Sequence, residues 1–179
     1  MIDLKKEIMD KGGKFKYEKL LNGELFEYVI IDNLDRIITL AVNNGYVLHG
    51  STRKLVELIP QEANDSSKEF GNAKAVYLTS NPIVAKFCAL VGGANVGERR
   101  DSKVTKISPE GEYTYTDTFF GVSKPENIRN EGYIYIFPKS VVDKSEGLEH
   151  ISKEPIKPFI VIQMKRSDWD EKKYPIEKI

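Results

Sequence analysis

The run Tyr133 to Phe137 in EGYIYIFPKS constrains the fold most strongly: every residue in it is aromatic or β-branched, and Pro138 closes it. Such residues fit a pleated, buried strand, and a proline cannot donate to the ladder, so the run predicts a strand that stops there. A second run, Phe159 to Met164 in IKPFIVIQMKRSDW, predicts another. Before them, ERRDSKVTKISPEGEYTYTDTFFGV alternates branched or aromatic residues with polar ones around SPEG, the pattern of a solvated hairpin. Strands therefore dominate the second half of the chain.

The first half carries the helical signals. DKGG, Asp10 to Gly13, stops a short leading helix, because glycine is costly inside one. Over residues 24–43, Leu25, Tyr28, Val29, Leu34, Ile37, Ile38 and Ala41 recur at intervals of three and four, and Asn43, Asn44 and Gly45 supply a stop. This spacing predicts a helix over 24–43, with a bend. YVLHGS and AVYLTS predict short strands joined by the polar loop QEANDSSKEFGNAK. SNPIVAKFCALVGG predicts a helix capped by Ser80 or Asn81, with Pro82 in the first turn and glycines at its end. Helices first and mostly antiparallel strands later give the α+β class. With no repeat, low-complexity tract or linker, residues 1–179 read as a single domain: a helical N-terminal segment over 1–44, then a core over 45–165.

Composition removes several functions. Basic and acidic residues balance at 27 each, so no global field draws the chain to nucleic acid or an anionic membrane. The lone Cys88 has no thiol to pair with and reads as a buried, inert group in a reducing compartment. No run approaches membrane-spanning length, which predicts a soluble, cytoplasmic protein with no membrane partner. Two histidines and one cysteine make a metal site improbable. GxSxG, GxxxxGK[ST] and GxGxxG are absent, and VGGANVGERR follows a helix, the wrong context for a phosphate cradle. KFKYEKLL mixes an acid among its bases and aromatics, EYTYTDTFF mixes acids among its aromatics, and both read as solvated surface. SDWDEKKYP reads as a turn in which Trp169 seals the core.

Three spaced stretches remain: LHGS at 48–51, AVYLTSNPIVAKFCAL at 75–90 and GLEHISKEPIKPFIVIQM at 147–164. Taken singly, each has a plain structural reading. His49 is then a core histidine bonded to backbone, Tyr77 a packing residue, Glu149 a solvated carboxylate and His150 a surface residue. Together they resemble the ADP-ribosyltransferase fold of the histidine, tyrosine, glutamate group, which includes poly(ADP-ribose) polymerases, diphtheria-like toxins and RNA 2'-phosphotransferases. The resemblance covers residues 45–165 and implies a split, mostly antiparallel sheet. It matches His49, Gly50 and Ser51 to the first motif, then Tyr77, Thr79 and Ser80 with Ala85 behind to the second, and Glu149 to the third. Glu149 is favoured because EHIS lies ten residues before the strand beginning at Phe159; Glu154 and Glu131 remain alternatives.

The resemblance implies NAD as substrate, no metal, an unknown protein or nucleic-acid acceptor, and a toxin or effector of bacterial or phage type. Cleaving the nicotinamide glycosidic bond builds positive charge on the ribose carbon, which a Glu149 carboxylate would stabilise. His49 would orient a ribose hydroxyl, Gly50 would let backbone approach the carboxamide, and Tyr77 would stack on nicotinamide. Ser51 or Ser80 would bond the ribose or the glutamate, and Phe87 stands where a second, hydroxyl-bearing aromatic is common in the polymerases. Two alternatives go with it: a catalytically silent nucleotide-binding module, and an RNA 2'-phosphotransferase-like enzyme needing cations for RNA phosphate, with Arg99 and Arg100 of GERR as candidates.

Overall fold

The computed structural model describes residues 2–62, 73–92, 100–106 and 115–179. It is α+β, with three helices and a mostly antiparallel mixed sheet. α1 (Leu4–Asp10) is capped by Asp3, whose carboxylate accepts from the Lys6 amide at 3.0 Å, and it buries Leu4 and Ile8. The chain turns at Gly12 (φ +80°) into a hairpin of β1 (Lys14–Lys19) and β2 (Leu25–Ile30). α2 (Leu34–Asn43) follows, then β3 (Tyr46–Ser51), β4 (Gln61–Glu62), β5 (Lys74–Thr79) and α3 (Pro82–Val91). Next come β6 (Arg100–Lys106), β7 (Tyr115–Val122), β8 (Glu131–Pro138), β9 (Lys144–Glu146), β10 (Glu149–Ser152), β11 (Ile160–Lys165) and β12 (Ile176–Lys178).

The main sheet runs β1-β2-β11-β8-β3-β5-β10-β9, with β4 on β5; β12, β7 and β6 form a smaller one. Among the described residues, only β2 with β11 and β7 with β12 pair parallel. Leu48, Ile134, Ile136, Ile160, Ile162 and Met164 face the helices and join the larger core with Leu4, Ile8, Ile37, Ile38, Phe87 and Leu90. Val47, Val76, Leu78, Tyr133, Tyr135 and Phe137 line the opposite face and pack with Leu58 and Ile156. The run Tyr133 to Phe137 is thus buried on both faces, which explains why every residue in it is large and apolar.

α3 lies directly on β3 and β8. A Cβ at Gly50 would stand 2.0 Å from the Ala85 carbonyl oxygen, and one at Gly132 would stand 1.8 Å from that of Ala89. Both glycines are therefore required by helix packing. The helix begins as the sequence predicts: Asn81 is the cap, accepting from the Ile83 amide at 3.1 Å, while its own N–H bonds the Thr79 hydroxyl at 2.9 Å. These nested turns swing the chain from β5 into α3.

Several expectations need correction. Residues 24–43 are not one helix, and the segment 1–44 is not wholly helical, because 14–30 form the β1–β2 hairpin. Phe26 and Tyr28 pack with the core of one face and Val29 with that of the other, so their spacing of two and three serves a strand pinned between two layers. Asn33, which caps α2 by accepting from the Arg36 amide, is where the helix really starts. Cys88 is half-buried, not fully enclosed. Trp169 does seal the core, its indole N–H donating to the Tyr174 carbonyl at 2.9 Å. β6 and β7 pair antiparallel as the hairpin pattern predicts, but the pair is not wholly solvated, because Phe120 and Val122 of β7 are buried in the larger core. The SPEG turn, residues 63–72 of the polar loop and residues 93–99 of the glycine run, with Arg99, lie outside the described residues. Among the described residues, no helix is long and apolar enough to cross a membrane.

Candidate functional site

The three stretches that the sequence singles out lie on consecutive strands. β5 is flanked by β3 and β10, and Thr79 is the shared register point, pairing with Leu48 on one side and Glu149 on the other. Leu48 with Thr79 is the one registered pair between β3 and β5 among the described residues, while β3 stays paired with β8 through Ser51. Beyond Leu48 the two strands part. His49 stands at that parting: its Nδ1 lies 2.7 Å from the Tyr77 carbonyl oxygen, and its ring meets Tyr135 edge-on at 6.1 Å. A carbonyl can only accept, so Nδ1 carries the proton, and in the neutral ring Nε2 is then an acceptor.

Side-chain alternation divides the motif residues between two faces. Paired residues share a face, so Leu48, Thr79 and Glu149 project together, while His49 projects with Val47 toward the opposite core. His49 thus reaches Tyr77 through its backbone carbonyl and not through its ring. The Tyr77 phenol donates to the Ala73 carbonyl at 2.6 Å, and its half-buried ring packs with Ala75 and Ile151. Glu149 is exposed at the head of β10, on a strand and not in a loop before one. Glu131, exposed, opens β8, and the exposed Glu154 follows β10, so neither shares the Thr79 register point.

Ser51 and Ser80 have local partners. The Ser51 hydroxyl accepts from the Arg53 amide at 3.1 Å. The Ser80 hydroxyl stands 2.5 Å from Nε2 of His150, whose Nδ1 lies 2.6 Å from the Ser145 hydroxyl. His150 is therefore no surface residue: it is 3 % exposed and bridges β5 to β9. Burial, helped by the Lys139 charge, holds its pKa below the usual imidazole value. One ring nitrogen of a neutral imidazole donates and the other accepts, so the two hydroxyls take opposite roles along this chain. Phe87 is buried inside the core, against Phe120 (4.9 Å) and Trp169 (6.1 Å).

A feature that sequence reasoning missed lies past the end of β3. Thr52, Arg53, Arg129, Asn130 and Glu131 line a cleft of about 430 Å³. The Tyr135 hydroxyl, on the strand beneath, donates to the Arg53 carbonyl at 2.5 Å and accepts from the Leu55 amide at 2.9 Å. Burial raises the pKa of this phenol well above the usual range, so it stays a hydroxyl with both roles available. Next to it, Tyr133 pairs with Ser51 and is 2 % exposed, and its hydroxyl has no hydrogen-bond partner among the described residues. Desolvation raises the Tyr133 pKa too, although Lys54 and Gln163 work against the rise. The signal in the sequence was the arginine two places after HGS; Arg129, about eighty residues away, carried none.

Among the described residues, no group of three or more His, Cys, Asp or Glu is placed to hold a metal. Comparison with protein-family models, curated proteins and solved structures finds no match to this chain.

Proposed function

We propose that the protein is an NAD-dependent ADP-ribosyltransferase-like enzyme that transfers ADP-ribose to a macromolecular acceptor, on a fold of ADP-ribosyltransferase type. The observation that carries this reading is the adjacency of β3, β5 and β10, which brings His49, Tyr77 and Glu149 to neighbouring strands although 100 residues separate the first from the last. His49 and Gly50 stand where β3 and β5 part, a split in the sheet at which a ligand's polar groups can meet backbone. In the reaction, the bond from the ribose carbon to nicotinamide breaks with its electron pair leaving on nicotinamide. The acceptor's lone pair forms the new bond, and the acceptor's proton passes to solvent. Glu149 stabilises the charge on the ribose, and Nε2 of His49 accepts a ribose hydroxyl.

A silent nucleotide-binding module is the second reading, favoured by the alternation that points Glu149 and His49 to opposite faces. NAD titration by calorimetry, followed by an assay for released nicotinamide, separates the two. Glu149→Gln should abolish release and leave NAD affinity within about twofold under the first reading. Release that survives the substitution rules Glu149 out.

A further inference from the structure

We propose that the cleft beyond β3 is an anion site that holds the diphosphate of the dinucleotide, with Arg53 and Arg129 as its cationic groups. The inference rests on the reading above for the identity of the ligand, but its geometry is independent of the three motifs. Arg53 and Arg129 come from opposite sides: one follows β3, the other precedes β8, and the register of Ser51 with Tyr133 brings the two chain segments side by side. Among the described residues neither arginine takes part in an ion pair, whereas Lys54, Lys86 and Arg166 are matched to Glu18, Asp35 and Glu171. Two unmatched guanidinium groups at one concave spot attract an anion, and a planar, multi-donor group suits phosphate oxygens.

The walls are fixed before any ligand arrives. Arg53 is held at both backbone groups, its N–H by the Ser51 hydroxyl and its carbonyl by the Tyr135 hydroxyl. Across the cleft, the Arg129 amide donates to the Leu90 carbonyl at 2.9 Å and the Asn130 carbonyl accepts from the Arg166 amide at 2.8 Å. A site held this way loses little ordering entropy on binding. Thr52 and Asn130 add neutral donors. Glu131 is the opposing charge; its carboxylate accepts from the Gln163 amide at 3.1 Å, which leaves the lining with two cations against one anion.

Position selects the diphosphate over an unrelated anion. Arg53 comes four positions after His49, so even a fully extended chain would put their Cα atoms no more than about 14 Å apart. In NAD the diphosphate is one ribose away from the nicotinamide. A nucleotide whose ribose meets His49 can therefore lay its phosphates toward the end of β3.

The test is calorimetric titration of the full chain with pyrophosphate, ADP-ribose, nicotinamide and a short single-stranded oligonucleotide. The proteins compared are wild type, Arg53→Gln, Arg129→Gln and Glu131→Gln. Each arginine substitution should weaken pyrophosphate and ADP-ribose about tenfold and leave nicotinamide unchanged. Glu131→Gln should tighten both anions a few-fold, a gain that mere structural damage would not produce. ADP-ribose binding that ignores both arginines, or oligonucleotide binding that depends on them while ADP-ribose does not bind, overturns the proposal. Nicotinamide binding with no arginine-dependent anion binding defeats the cleft and spares the enzyme reading. Arginine-dependent ADP-ribose binding without nicotinamide binding or release supports the cleft and defeats that reading.

Discussion

His49 and Tyr77 are joined side chain to backbone: the imidazole Nδ1–H donates to the tyrosine carbonyl at 2.7 Å, at the point where their strands part. The bond does two things at once. It gives the Tyr77 carbonyl a partner where the β3–β5 ladder ends, and it selects the tautomer whose Nε2 is an acceptor.

His49→Asn separates these roles, because an asparagine amide nitrogen can take the place of Nδ1 but nothing replaces Nε2. Urea unfolding of His49→Asn should stay within about 1 kcal/mol of wild type, while NAD affinity falls about tenfold. His49→Ala should lose both. Equal NAD affinity in all three proteins would show that the imidazole serves the sheet alone.

Gly50 and Gly132 make a sterically sharper case. A methyl group at either meets helix backbone and not a flexible side chain, so α3 must lift from the sheet. Gly50→Ala and Gly132→Ala should each destabilise by about 3 kcal/mol, the upper part of the usual overpacking range. A change below 1 kcal/mol in the denaturation midpoint analysis would mean that α3 does not sit this close.

Tyr135→Phe keeps the ring and deletes the clamp on Arg53 and Leu55. The expected cost is about 1–2 kcal/mol, from an amide and a carbonyl left without their partner. Hydrogen exchange at the Leu55 amide should accelerate. Unaltered protection there would show that the phenol does not hold the segment.

His150 makes stability depend on pH with a definite sign. Its folded pKa lies below the ordinary 6.5 because the buried ring resists charging. Between the two values the unfolded chain binds more protons, so the contribution is complete above about pH 6.5 and is lost as pH falls through the folded pKa. Chemical denaturation from pH 7.5 down to 5 should show this decline, with a slope no steeper than about 1.4 kcal/mol per pH unit for one group. His150→Gln should flatten it. The same slope in the variant would assign the decline to other groups.

Local patterning was legible in the sequence. β3, β5, α3, the β6–β7 hairpin, β8 and β11 all match local runs of about ten residues or fewer that are continuously apolar, alternate, or carry a cap, because side-chain patterning and capping chemistry act at that range. The stretch 24–30 defeated the same method. Its apolar residues face two different layers, and such a pattern has no single period until the layers exist.

At the site, sequence by itself determined which residues carry polar chemistry at strand ends: His49 after an apolar run, Ser80 before a helix, Glu149 near a late strand. Tertiary structure alone decided their company. It brought β10 beside β5, buried His150 between Ser80 and Ser145, sent Phe87 into the core and set Arg129 across from Arg53. Each of these joins residues well separated in the chain or hangs on which face a side chain takes. A one-residue shift of register reverses that face, and register is settled only when whole sheets pack.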